Sequence, residues 1–379
     1  MPDHQRSDSI LGPTGVKDLD RELPPGVRGL LEKFREGKEV GLARGISLVE
    51  DEGAGFQAFL HAVLETPRFA GRVGFTGPPG AGKSSLVAAL TREYRARDEE
   101  VAVIAVDPTS PYSGGALLGD RIRMNDLATD RGIFIRSMAT RGSVGGLATT
   151  TKEVLDLLDA FGFQRVMVET VGVGQTELEI TGAADTVVVV LVPESGDGIQ
   201  AMKAGLMEIA DVFVVNKADR PGADQVVQDL RLALQLREGQ ALRGVPAHHG
   251  VDLKRLAARR GQAEPPSPAQ EEGEGAEPWS IPVVKTVAQT GEGVAELVEA
   301  IDGHRRHLEA SGELEERRKA RAAGRVRDVV SRELQRITWS NARVGEMLEE
   351  GVESILQGTE TPYSLAGAIV KELLRSPAQ

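Results

Sequence analysis

The sequence predicts an α/β fold: a doubly wound, mostly parallel sheet with N-terminal helices and a C-terminal helical arm. Short, nearly continuous runs of Val and Ile alternate with turn and helix patterns from residue 72 onward, which is typical of strands covered on both faces. A glycine-rich segment ending in Gly-Lys-Ser follows the first run, as expected for a strand–turn–helix unit. The predicted strands are Val73 to Thr76, Val101 to Val106, Arg165 to Val168, Thr186 to Val192, Val212 to Val215 and Ile281 to Val284.

Periodicity and composition divide the rest of the chain. Residues 1–26 have no apolar periodicity and are predicted to be a disordered tail, whereas residues 27–70 repeat apolar side chains at the spacing of two amphipathic helices. We expect the main domain over residues 71–308, with a mobile insertion at about 259–280 that is rich in Pro, Glu and Gly. Apolar positions at helical spacing predict a helical arm over residues 309–379.

The composition excludes several classes of protein. Aromatic residues make up 4% of the 379 residues and the formal net charge is −12, so a stacking or broadly basic surface for nucleic acid is not expected. The absence of cysteine excludes disulfides and thiolate metal sites. The run Thr186 to Val192 is far shorter than the roughly 20 residues of a membrane helix. Because Met1 to Ile10 also lacks an apolar signal core, we expect a cytoplasmic protein without a membrane segment.

The glycine-rich segment after the first strand matches the phosphate-binding pattern G-x-x-x-x-G-K-S. Its backbone N–H groups and the following helix N-terminus favour anions, Lys83 can lie between the β- and γ-phosphates, and Ser84 can ligate Mg²⁺. A Gly- and Pro-rich turn that binds nothing is the alternative, and the position between strand and helix disfavours it. The expected phosphate-binding residues are Gly77, Pro78, Pro79, Gly80, Ala81, Gly82, Lys83, Ser84 and Ser85.

A second motif, Asn216-Lys217-Ala-Asp219, follows the strand Val212 to Val215. The carboxylate of Asp219 can accept both N–H donors on the guanine edge, whereas adenine presents mismatched groups. The alternative is a turn with a helix N-cap. Because ligands bind at the carboxyl ends of strands in such sheets, the position after the phosphate-binding loop favours a site for GTP or GDP.

Three acidic residues at or near strand ends are candidate Mg²⁺ ligands together with Ser84. Asp107 and Glu169 end the predicted strands Val101 to Val106 and Arg165 to Val168, and Asp120 follows in a turn-rich segment. Mg²⁺ needs only one or two carboxylates beside water and phosphate oxygens. Turn capping is the alternative role for Asp107 and Asp120.

Two further loops are expected near the phosphates. Gly172 lies in a glycine-rich segment whose free N–H groups can approach the γ-phosphate. Lys203, in the loop from Pro193 to Lys203, can reach the transferring phosphoryl group, although an ordinary surface lysine is the alternative. The candidate catalytic residues are Lys83, Glu169 and Lys203. His304 and His307, three residues apart on a polar helix, are expected on a solvated face rather than at a metal site.

Together these segments resemble the MeaB/ArgK-type P-loop GTPases, G-protein chaperones of cobalamin-dependent acyl-CoA mutases. The similarity extends from about Arg28 to the C terminus. The resemblance implies that Asp107, Asp120 and Glu169 belong to the Mg²⁺ and switch system, and that the loop from Pro193 to Lys203 is a third switch facing the mutase. It also implies a homodimer formed through the C-terminal arm. From the segment Lys285-Thr-Val-Ala it adds to the nucleotide-binding set Thr286, Val287 and Ala288.

The favoured function is therefore a Mg²⁺-dependent GTPase that gates cofactor loading or protection of an adenosylcobalamin-dependent acyl-CoA mutase such as methylmalonyl-CoA mutase. A metallochaperone GTPase for nickel or zinc is an alternative, but it predicts a Cys/His cluster that the sequence lacks. An ATP-using, transport-type small-molecule kinase is another, and Asp219 argues against it. A GTP-gated scaffold with negligible turnover is not distinguishable from a slow GTPase by sequence.

Overall fold

The structure, a computed structural model, describes most of the chain in two compact units that divide between Arg318 and Lys319. The larger unit contains the sheet, and the smaller one consists of helices. The described residues are 23–66, 68–107, 126–127, 129–139, 149–170, 180–193, 205–237 and 278–375.

Seven parallel strands form one sheet. They are β1 (Gly71–Thr76), β2 (Val101–Asp107), β3 (Ile133–Ala139), β4 (Arg165–Thr170), β5 (Thr186–Leu191), β6 (Val212–Asn216) and β7 (Val283–Thr286). Their order across the sheet is β3-β2-β4-β1-β5-β6-β7, and all neighbouring pairs are parallel. Side chains that alternate along the strands enter two separate apolar cores, one on each face. The predicted α/β, doubly wound parallel sheet is confirmed.

The two edge strands are where the sequence pattern fails. Strand β3 was not predicted, because Arg136 and Ser137 interrupt its apolar run. Strand β7 lies two residues later than the predicted Ile281 to Val284. An edge strand has only one neighbour to cover its backbone, so its side chains are partly exposed and the continuous apolar signal weakens.

Helices lie between the strands in sequence, and further helices precede the first strand and follow the last. They are α1 (Pro25–Arg35), α2 (Glu39–Glu50), α3 (Phe56–Leu64), α4 (Lys83–Ala96), α5 (Thr149–Phe161), α6 (Leu206–Ile209), α7 (Ala223–Arg237), α8 (Val294–Ser311), α9 (Glu313–Ser340), α10 (Ala342–Leu356) and α11 (Pro362–Arg375). Three helices replace the predicted pair in the N-terminal region, because the small residues Gly41 and Gly45 hide the apolar face of α2 from a periodicity search. Of the described helices, none has an apolar stretch that reaches across a bilayer.

The N-terminal helices are part of the main core rather than a separate layer. The Phe34 ring of α1 lies 5.8 Å from that of Phe59 in α3 and 5.2 Å from that of Phe161 in α5, in both cases edge to face. Such aromatic contacts favour one relative orientation of the packed helices. Helices α1 to α3 are thereby fixed against the helix that covers β4.

A buried polar cluster lies at the edge of the sheet where β5 and β6 begin, and it corrects the expectation for His304. This histidine is 1% exposed, not solvated. Its Nδ1 lies 2.9 Å from the Thr186 hydroxyl and its Nε2 lies 3.3 Å from Asp211 Oδ1. Trp279 packs beside the ring at a centroid distance of 5.0 Å. The polar sequence of α8 does not indicate that His304 is buried, because the residues that contact its ring lie outside this helix.

Asp211 is the acceptor at the centre of this cluster. Arg317 donates to both of its carboxylate oxygens at 3.0 Å, and the backbone N–H of Val187 donates to Oδ2 at 2.8 Å. Burial raises the pKa of Asp211, but the hydrogen bonds and charges of His304 and Arg317 outweigh burial, so the net pKa is lowered.

We expect Asp211→Asn to lower the free energy of unfolding by about 2 kcal/mol at neutral pH, since it removes the carboxylate that pairs with the partly buried Arg317. The pKa of Asp211 is lower in the folded protein. Its contribution is therefore fully present above the ordinary aspartate pKa and is lost as the pH falls through the lowered value. Urea unfolding at neutral and acidic pH measures both effects.

The matched control is Asp224→Asn, which breaks an exposed ion pair with Lys285 and should change stability by less than about 0.5 kcal/mol. An equal loss in both variants, or a difference between wild type and Asp211→Asn that persists at acidic pH, would contradict the assignment.

Candidate nucleotide site

The phosphate-binding loop lies where three neighbouring strands end. It follows β1, which lies between β4 and β5 in the sheet, and it leads directly into α4. Strands that are far apart in sequence, β4 and β6, bring Glu169 and Asn216 to the same edge. This edge, the carboxyl ends of parallel strands, is where ligands bind in such sheets.

The loop has a conformation and a packing that require glycine. Gly80 and Gly82 have φ of +78° and +85°, the left-handed region. A Cβ on Gly77 would overlap the Val190 carbonyl oxygen of β5, and one on Gly82 would lie 2.5 Å from Asn216 Nδ2. The loop is therefore seated closely against β5 and β6, and α4 begins at Lys83 with its N-terminus at the loop.

The Lys83 ammonium group is held inside the loop. Its Nζ donates to the carbonyl oxygens of Gly77 at 2.8 Å and Pro78 at 3.1 Å, and the residue is buried. A buried ammonium group is costly unless its donors are satisfied. Carbonyl oxygens of the loop hold the charge at the place where phosphate oxygens are expected to bind.

Ser84 and Glu169 form a direct contact between the loop and β4. The Ser84 hydroxyl donates to Glu169 Oε1 at 2.7 Å, and both residues are buried. Glu169 lies within β4 rather than after it, because the strand continues to Thr170, and it pairs with Phe75 of β1. Asp107 is the last residue of the neighbouring β2, so its backbone lies at the same edge.

Asn216 joins three segments through one side chain. Its Nδ2 donates to the Ala81 carbonyl at 2.9 Å, and its Oδ1 accepts from the Thr286 hydroxyl at 3.1 Å and from the Ala288 N–H at 3.2 Å. The phosphate-binding loop, β6 and the end of β7 are thus tied together. The four-residue motif gives no indication of this role, which depends on β6 and β7 being neighbours.

The turn after β6 carries the other two motif residues. Lys217 has φ +55°, a conformation uncommon outside glycine, and its Nζ donates to the Gly80 carbonyl at 2.8 Å. The N–H of Ala218 donates to the carbonyl of Thr286 at 3.0 Å. Asp219 is exposed at the same edge of the sheet. The turn therefore presents a carboxylate to solvent beside the phosphate-binding loop.

The predicted site residues divide into two groups. Those on the described elements converge on one edge, including the buried pair Thr286 and Val287 at the end of β7. Asp120, Gly172 and Lys203 lie outside the described residues.

A phosphate-binding loop between β1 and α4, with an Asn-Lys-x-Asp turn beside it, defines the class of P-loop proteins with a guanine-recognition motif. Comparison with known proteins narrows this class. A protein-family model described as methylmalonyl Co-A mutase-associated GTPase MeaB matches residues 42–343.

Two relatives agree with that match, and one solved structure shares the fold. A protein of Pyrococcus abyssi that carries the name GTPase is 43% identical over 345 residues, 91% of this chain and 96% of that protein. The mouse mitochondrial methylmalonic aciduria type A homolog is 29% identical, over 94% of this chain and 81% of that protein. The crystal structure of an LAO/AO transport system kinase has a TM-score of 0.59 and 24% identity, over 93% of this chain and 99% of that chain. The last likeness shows the fold alone.

The chain belongs to the MeaB family, and the protein is a GTPase. The resemblance identified from the sequence motifs is confirmed.

We expect Gly82→Ala to destabilise the nucleotide-free protein by about 2 kcal/mol more than Gly80→Ala. Both positions have left-handed φ, so both variants carry the same kind of backbone strain, but only a Cβ at position 82 meets Asn216. Among the described residues, nothing lies within 4 Å of a Cβ at position 80. Urea unfolding of the two variants measures the difference, and equal destabilisation would exclude close seating of the loop on Asn216.

Proposed function

We propose that the protein is a Mg²⁺-dependent GTPase that gates cofactor loading or protection of an adenosylcobalamin-dependent acyl-CoA mutase of the methylmalonyl-CoA mutase type. The observation that most supports this proposal is the Ser84–Glu169 hydrogen bond. It connects the phosphate-binding loop to the strand that leads into residues 171–179. Family membership and the name of the mouse relative support the choice of client.

The chain's own groups supply charge stabilisation for phosphoryl transfer. Lys83 exchanges the Gly77 and Pro78 carbonyls for β- and γ-phosphate oxygens when GTP binds, and the loop N–H groups and the N-terminus of α4 add donors. Water attacks the γ-phosphorus, the bond from this phosphorus to the oxygen of the β-phosphate breaks, and GTP and water become GDP and phosphate. Lys203 and the Gly172 N–H are assigned to the transferring phosphoryl group as part of this proposal.

The donors at the strand ends fit Mg²⁺. Ser84 and Glu169 bring two buried oxygen atoms within 2.7 Å of each other beside the phosphate-binding loop, and hard oxygen ligands are what this ion selects. Ser84 and the acids Asp107, Asp120 and Glu169 would hold the ion. When bound, it would neutralise charge on the β- and γ-phosphates.

Guanine selection is assigned to Asp219. We expect Asp219→Asn to reduce the GTP affinity by about 100-fold or more and to favour xanthosine triphosphate, because an amide offers one donor and one acceptor where the carboxylate offers two acceptors. Competition binding with GTP, ATP and xanthosine triphosphate measures the change. Asp224→Asn, an exposed aspartate on α7, is the control and should leave the GTP preference unchanged. An unaltered preference in Asp219→Asn would remove the base assignment.

We also propose that the protein forms a homodimer through its C-terminal helical arm. In the smaller unit, Val344 of α10 packs with Leu365 and Ile369 of α11 in a small apolar core. Large apolar side chains that remain exposed follow helical spacing along α9 at Val326, Val330, Leu334 and Ile337, whereas the exposed Trp339 lies on another side of the helix. An exposed apolar stripe of this length favours burial against a second copy.

We also propose a cytoplasmic location, where GTP is available.

A purified methylmalonyl-CoA mutase tests the partner assignment. We expect the mutase to co-elute with the protein in sizing chromatography and to raise steady-state GTP turnover by about tenfold or more, since completing such sites in trans accelerates hydrolysis. Glu169→Gln keeps the shape of the side chain, so it should still co-elute but show no acceleration. Neither complex nor acceleration in the wild type would exclude the mutase as client and leave the GTPase assignment intact.

A further inference from the structure

A polar cavity lies where the strands of the sheet begin, at the opposite end of the strands from the phosphate-binding loop. Its volume is about 330 Å³, and its lining includes three arginines and two acids. They are Arg68, Glu99, Asp159, Arg165 and Arg305. The GTPase chemistry proposed above uses none of these side chains.

The two acids are already paired with guanidinium groups. Asp159 accepts from Arg72 Nε at 3.2 Å and from Arg72 Nη2 at 2.8 Å. Glu99 accepts from Arg165 Nε at 2.6 Å. The cavity wall is therefore not an uncompensated acidic surface, and the charged donors in its lining belong to arginines.

Arg165 has one donor group that the fold leaves unmet. Its Nε is bonded to Glu99, its Nη2 lies 2.8 Å from Asp302 Oδ1, and its guanidinium plane lies over the Tyr94 ring at 4.6 Å. Its Nη1 is buried and has no hydrogen-bond partner among the described residues. Leaving a charged donor unmet in the interior is costly, and a bound anion would satisfy it.

Arg305 brings a second guanidinium group to the same place. A Cβ on Gly71 would overlap Arg305 Nη1 and would lie 3.4 Å from Arg165 Nη1, so both nitrogen atoms converge above this glycine. Arg305 Nε donates to Glu309 at 3.0 Å, and Arg305 is one of the residues that line the cavity. Glu99, Asp302 and Glu309 offset the charges of these two arginines, and Arg165 Nη1 still lacks an acceptor among the described residues.

We propose that this cavity binds a small oxyanion, either a phosphate or a carboxylate group, between Arg165 and Arg305 with Arg68 at its rim. The planar guanidinium forks match the paired oxygens of both groups. The missing Cβ of Gly71 provides the space in which the two arginines approach each other. Because the cavity lies at the opposite end of the strands from the phosphate-binding loop, it can be occupied while a nucleotide is bound.

The test uses the full chain with the nucleotide site saturated by Mg²⁺ and guanylyl imidodiphosphate, so that added phosphate cannot enter the phosphate-binding loop. Inorganic phosphate is titrated by calorimetry at constant ionic strength, and acetate is then added as a competitor. We expect one saturable phosphate site per chain. Competition by acetate would assign the site to oxyanions in general, and its absence would assign it to phosphate.

Variants identify the location. Arg305→Ala should weaken phosphate binding about tenfold, as expected for losing a hydrogen bond to a charged group, and Arg68→Ala should weaken it less, because that side chain is exposed at the rim. The matched control is Arg306→Ala, the next residue of α8, whose side chain is 70% exposed and outside the cavity lining. No saturable phosphate or acetate binding in the wild type, or equal weakening in Arg306→Ala, would overturn the proposal.

Discussion

The hydrogen bonds of the Asn216 side chain are the interaction on which the nucleotide site depends. One buried amide at the end of β6 satisfies the Ala81 carbonyl of the phosphate-binding loop and, at the end of β7, the Thr286 hydroxyl and the Ala288 N–H. Each of these groups would be costly to leave unpaired in the interior. The position of the phosphate-binding loop relative to the turn that carries Asp219 is therefore fixed by the fold itself.

Buried charges are satisfied in different ways at the two ends of the strands. At the carboxyl ends of the strands, the Lys83 ammonium group is satisfied by loop carbonyls that a phosphate group can replace, so the charge is stable within the fold and still available to a ligand. At the opposite ends, the carboxylate of Asp211 is surrounded by donors from His304, Arg317 and Val187. The first arrangement is suited to exchange of partners, and the second fixes structure.

The contact between Ser84 and Glu169 connects the phosphate-binding loop with strand β4. Both side chains are buried, and Glu169 lies inside a strand whose neighbours on both sides are fixed by the sheet. Ser84 is thereby coupled to the end of β4 through a buried hydrogen bond. This coupling is a property of the sheet order, in which β4 lies beside β1.

The sequence by itself determined the class of fold and the identity of the phosphate and base motifs, because a buried parallel strand needs a continuous apolar run and a phosphate-binding loop needs glycines at fixed spacing. It did not reveal edge strand β3, whose signal is weakened by Arg136 and Ser137, or the burial of His304. Only the tertiary structure decided those features and the contacts of Asn216 and Arg165. Each depends on partners that lie far away in the chain, and local spacing carries no information about which distant strands and helices will become neighbours.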